Sequence, residues 1–89
     1  MERFVFAKPG IILDHEDDGV ILFDPASAKL LHLNETGAFL YGLLDGQRSL
    51  NRLVDVLMSE YAATDRAGVT LEVQEFLRVV VSAGLADER

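Results

Sequence analysis

Apolar and polar positions change their period once along this chain, at Asn34. Before it, apolar residues come in short β-rich runs: Ile11–His15 (IILDH), Gly19–Asp24 (GVILFD) and Lys29–Leu33 (KLLHL). Asp18-Gly19 is a hairpin signal between the first two. Asp24–Ala28 (DPASA) supplies the second turn, with Pro25 free to take its first corner. The three runs predict an antiparallel β-meander whose last strand is Lys29–Leu33. Ahead of it, Met1–Lys8 (MERFVFAK) is an apolar-rich lead-in that Pro9-Gly10 breaks.

After Asn34 the period is helical. Asn34 can cap a first helix by accepting from the free N–H groups of its first turn, and Asp45-Gly46 is the predicted stop. Ser49 caps a second helix, in which Leu50, Leu53, Val54, Leu57, Met58 and Tyr61 recur at helical spacing on a single face. Ala62–Gly68 reads as a loop, Thr70 as the cap of a third helix, and Gly84 as its end. Strands precede helices, so the predicted fold class is α+β: a three-stranded antiparallel meander followed by a three-helix bundle, with the sheet packed on the helices. Residues 1–89 form one domain, with no repeats or linkers.

The apolar arc of the third helix is wider than that of the second. Val73, Phe76, Leu77, Val79, Val80, Val81 and Ala83 spread over roughly 200° of a helical wheel, against roughly 140° for the second helix, Val56 aside. Packing one face needs little more than 100°. Two readings remain open: a central helix buried on two sides, or a flank exposed to receive a ligand.

Composition narrows the chemistry. A chain of 89 residues buries only about 60–65% of its unfolded surface, which disfavours a deep enclosed active site. The apolar runs are too short to span a bilayer, and the N-terminal stretch lacks the features of a signal peptide, so a cytoplasmic protein is expected. The absence of cysteine removes disulfides, thiolate metal sites and thiol nucleophiles. His15 and His32 are the two imidazoles, and no nucleophile motif accompanies either. The net charge of −7 argues against nucleic acid and against anionic membrane surfaces.

Three local motifs have ordinary explanations. The acidic run Asp14–Gly19 begins like a calcium loop, but Pro25 stands where the bidentate acid should close it, so a solvated hairpin turn is the better reading. Asn34–Thr36 matches a glycosylation sequon, yet capping accounts for the Asn. His32 reads as an exposed strand residue, because no second imidazole or acid on the strand suggests a metal site. Neither a cofactor nor a metal is expected.

Two segments resemble a known family. Leu33–Tyr61 (LNETGAFLYGLLDGQRSLNRLVDVLMSEY) is similar to the signature of the PqqD family, with a Leu-Asn entry, small residues opening a helix, an apolar run to Asp-Gly and a basic-Ser step into the next helix. Glu72–Leu85 (EVQEFLRVVVSAGL) resembles its closing helix, although Glu72-Val73 stands where Asp-Val is common. Phe23–Leu33 looks more like relatives outside pyrroloquinoline quinone synthesis. The resemblance implies a winged-helix-like fold and a non-catalytic peptide chaperone, a recognition element for ribosomally made natural products. Such a protein holds the leader of a precursor peptide and presents it to a radical SAM enzyme. The leader is expected as an added strand beside Lys29, Leu30, Leu31, His32 and Leu33, in a groove walled by Val73, Phe76, Leu77 and Val80.

An edge strand is a template for another strand, which soluble proteins usually suppress; strand addition would use it for affinity, with side-chain pockets for specificity. Lys29, Leu31 and Leu33 share one strand face, and Leu30 and His32 the other. The same edge could pair two copies into a homodimer, and Lys29 could equally guard it against aggregation. Two alternatives belong to other classes. A winged-helix DNA-binding regulator would need a basic recognition helix, whereas the third helix carries Glu72 and Glu75 against Arg78. A structural subunit of a larger maturation enzyme would bury the groove permanently. Catalysis by the domain itself lacks a base, a nucleophile and an oxyanion site.

Overall fold

In the computed structural model, residues 3–89 are described; Met1 and Glu2, the start of the predicted lead-in, lie outside them. The predicted meander is present as β2 (Ile12–Glu16), β3 (Gly19–Asp24) and β4 (Lys29–Asn34), in the order β2-β3-β4. Its register pairs Ile12 with Phe23 and Leu22 with Leu31. Val20 and Leu22 of β3 and Leu33 of β4 point into the core, while Ile12 and Leu30 remain exposed on the other face. The alternation expected of a sheet covered on one side thus holds in β3.

Asp24 organises the turn into β4. Its Oδ1 accepts from the Ala26 N–H at 3.0 Å, and its Oδ2 accepts from the Ser27 hydroxyl at 3.0 Å and from Lys8 Nζ at 2.8 Å. Asp24 is only 4% exposed, so these partners stand in for lost water. The Lys8 bond, opposed by burial and aided by the turn donors, holds its carboxyl below the ordinary value.

Three helices follow: α1 (Glu35–Gly42), α2 (Leu50–Glu60) and α3 (Arg66–Ser82). Asn34 Oδ1 accepts from the Gly37 N–H at 2.8 Å, and Ser49 Oγ from the Arg52 N–H at 3.2 Å, as the capping pattern predicts. Gly84, with φ +76°, ends the third helix in the left-handed conformation that glycine tolerates. The cap of α3 differs from expectation. Asp65 caps it through the Gly68 N–H, and Thr70 lies inside, its hydroxyl donating to the Arg66 carbonyl. The preceding loop is correspondingly shorter than Ala62–Gly68.

A meander followed directly by three helices describes only part of the architecture. A second sheet is present, with β1 (Phe4–Ala7) central between β5 (Asp45–Ser49) and β6 (Ala86–Glu88), all antiparallel. Phe4–Ala7 of the lead-in is therefore a strand, and the helix predicted to run to Asp45 ends at Gly42. Gly46, taken from sequence as a helix stop, has φ +75° inside β5. Arg48 holds the α1 to β5 connection by donating to the Leu43 carbonyl at 2.9 Å and to Asp45 at 3.0 Å. Tyr41 ties α1 to the C-terminal segment, its hydroxyl donating to the Leu85 carbonyl at 2.8 Å. Burial, with a smaller contribution from the Asp24 charge, pushes the Tyr41 phenol above its usual value.

The Asp24 linkage has a definite sign. A carboxyl whose folded pKa lies below its unfolded value stabilises fully above the unfolded pKa, and loses that contribution as pH falls through the folded one. Thermal melting of the native chain and of Asp24→Asn should therefore show a gap that is largest near neutrality and closes from about pH 4 downward. A gap independent of pH would mean that the Lys8 pair contributes nothing.

Candidate functional site: a groove between β4 and α3

Among the described residues β4 pairs with β3 along one side only, so its other side is an open strand edge. Facing that edge, a groove of about 620 Å³ is lined by His32, Leu33 and Asn34 of β4, by Thr36, Gly37 and Leu40 of α1, and by Leu71, Glu72, Glu75 and Phe76 of α3. The strand-to-helix junction builds one wall. Asn34 is both the last residue of β4 and the cap of α1, so no flexible loop separates them. Gly37 lets the helix approach closely, for a Cβ there would lie 3.2 Å from Leu33 Cβ and 3.3 Å from Asn34 Oδ1.

α3 builds the other wall with one stripe and the core with another. Val69, Val73, Leu77 and Val80 recur at helical spacing and are buried. Leu71 and Phe76 lie on the flank that opens into the groove, Leu71 being 67% exposed. Both readings of the wide apolar arc thus apply, each to a different part of the helix. Polar groups line the same wall: Glu75 is held by Arg78, whose bonds keep its carboxyl below the ordinary range.

Of the residues expected to bind, His32, Leu33 and Phe76 line the groove. Lys29, Leu30 and Leu31 continue the open edge beyond it, Leu31 half-buried and Leu30 68% exposed on the opposite sheet face. The expectation for Val73, Leu77 and Val80 is corrected: all three are fully buried and none lines the groove, so they support its wall from behind. Leu71, Glu72, Glu75 and the α1 residues were missed. The repeat Leu71-Glu72 and Glu75-Phe76, four positions apart, places both pairs on one flank, but an apolar arc drawn from Val73 onward leaves out Leu71 and both glutamates. His32 Nε2 lies 3.8 Å from Asp18, an acid of the β2–β3 turn that the Gly19–Asn34 pairing brings beside the end of β4. No cluster of three metal-ligating side chains exists among the described residues.

Comparison with known proteins gives the chain's family and fold relatives. Residues 19–86 match the family model for coenzyme PQQ synthesis protein D (PqqD). The chain belongs to the PqqD family. No curated protein matches it significantly. Two solved structures share its fold. TbiB1 in complex with the TbiA(beta) leader peptide has a TM-score of 0.78 and 24% identity, covering 92% of this chain and 94% of that one. Lasso peptide synthetase B1 complexed with the leader peptide has a TM-score of 0.78 and 24% identity, covering 94% and 98%. The PqqD match spans β3 to the start of β6, and so includes every residue lining the groove but neither β1 nor β2.

Substitution should separate the two stripes of α3 in this PqqD-family domain. Leu71→Ser removes an exposed side chain and should change the urea-unfolding free energy by no more than about 0.5 kcal/mol. Leu77→Ala opens the packed core and should cost about 2–5 kcal/mol. Equal losses would place Leu71 in the core rather than on the groove.

Proposed function

We propose that this protein is a non-catalytic recognition element that binds the leader of a ribosomally made precursor peptide as an added strand along β4 and presents it to a modifying enzyme. The observation that carries the reading is an open strand edge beside a preformed apolar groove. Main-chain groups of β4 would supply affinity, and Leu33, Leu40, Leu71 and Phe76 a pocket for an apolar side chain of the peptide. A wall fixed by the Asn34 junction lowers the cost of ordering a disordered leader. Family membership supports the reading, as do two neighbours of the same fold that hold leader peptides.

The winged-helix-like description and the contacts of Lys29, Leu30, Leu31, His32, Leu33 and Phe76 belong to this proposal. So does the identity of the recipient. Resemblance to the PqqD family points to a radical SAM enzyme, whereas the neighbours point to lasso peptide synthesis. A second copy paired through β4 would occupy the same edge, and would appear as peptide affinity that falls with protein concentration. The regulator reading gains nothing from α3, whose groove side presents Glu72 and Glu75 where phosphate contacts need cations.

Leader-length peptides synthesised from short open reading frames flanking the gene provide the test. Binding followed by fluorescence anisotropy should be accompanied by slowed amide hydrogen exchange along β4. Leu71→Asp, on an exposed position, should weaken binding at least about tenfold while leaving the melting temperature unchanged. Protection confined to another surface, or no binding by any such peptide, would overturn the assignment.

A further inference from the structure

We propose that Glu72 makes the groove selective for a peptide with a cationic side chain, Lys or Arg, two positions from its apolar anchor. The inference rests on the peptide-binding reading above.

The two carboxylates of the α3 wall are in different states. Glu75 is bonded at both oxygens by Arg78, at 2.9 Å through Nε and 2.5 Å through Nη2. Glu72, in the same groove, has no ion pair or side-chain hydrogen bond among the described residues. Neither Lys nor Arg lines this groove; its other ionisable group is His32 on the opposite wall, next to Asp18. An occupant would thus remove water from a carboxylate for which no described residue supplies a counter-charge.

That loss decides between peptides. Desolvating an unpaired charge is costly, and a cation on the ligand offsets it. An acidic ligand side chain meets Glu72 as a like charge, so discrimination comes from rejection as much as from attraction. The net charge of −7 acts in the same direction at longer range.

Spacing links the cation to the anchor. From Glu72 to Phe76 the helix rises about 6 Å. Same-face residues of an extended strand are about 6.6 Å apart. In a peptide strand lying parallel to α3, the side chain facing Glu72 is therefore two residues from the one against Phe76.

A random dodecapeptide phage library panned on the native chain, Glu72→Gln and Glu72→Lys tests this, each protein first shown to melt cooperatively. On the native chain, Lys and Arg should be enriched over Asp and Glu by about two- to fivefold at the position two from an enriched apolar residue, the range of a partly exposed ion pair. The preference should vanish with Glu72→Gln and reverse with Glu72→Lys, the apolar enrichment persisting in all three. Apolar enrichment without a cation preference, or a preference that survives Glu72→Gln, would overturn the role of Glu72 and leave peptide binding standing. No enriched peptide on any of the three would overturn both.

Discussion

Asn34 joins the open edge to the helices. It is the last residue of β4 and, through its side-chain oxygen on the Gly37 N–H, the first residue to hold α1. A capping bond of this kind contributes about 1 kcal/mol. Its larger consequence is geometric: the strand cannot turn relative to α1 without losing the cap, and Gly37 keeps the helix within contact of Leu33. The groove is therefore part of the folded framework rather than something a ligand must open.

The rest of the molecule holds that framework from behind. α3 presses Val73, Leu77 and Val80 into the core, which fixes the opposite flank carrying Leu71, Glu72, Glu75 and Phe76 at the groove. The second sheet gathers β1, β5 and β6 from three distant parts of the chain. Two long-range polar contacts connect its surroundings to the rest: Lys8 to Asp24, and Tyr41 to the Leu85 carbonyl. Both involve side chains with little access to water, where an unmade bond is expensive. A domain of this size has a small core, and such ties restrict how its two sheets and three helices can shift.

Division of labour along α3 lets an acidic domain keep an apolar side chain beside charged ones on its surface. On α3 the exposed Leu71 lies beside Glu72 and, one turn on, Glu75, so its apolar side chain borders charge. Charged flanks are a usual means of guarding an exposed edge. Glu72 and Glu75 share their groove with the end of the open strand, so under the proposed reading they would also bear on which peptide is accepted.

Much of the fold was legible in the sequence where the signal is local. The change of period at Asn34, the hairpin and turn residues, the caps at Asn34 and Ser49 and the stop at Gly84 each depend on a few neighbouring side chains, and each is present in the structure. The edge strand with His32 and Leu33, and Phe76 on the facing helix, were also within reach of periodicity and family resemblance. What the sequence could not decide depends on partners far along the chain. Phe4–Ala7 and Asp45–Ser49 are strands because they meet each other and Ala86–Glu88, and Asp45–Gly46 leaves helical structure for that reason. Val73, Leu77 and Val80 are apolar like Leu71 and Phe76, and no local pattern separates the stripe that faces the core from the one that faces the groove. Only the packing of α3 against the other elements sets the rotation of the helix, and with it which apolar residues a ligand can meet.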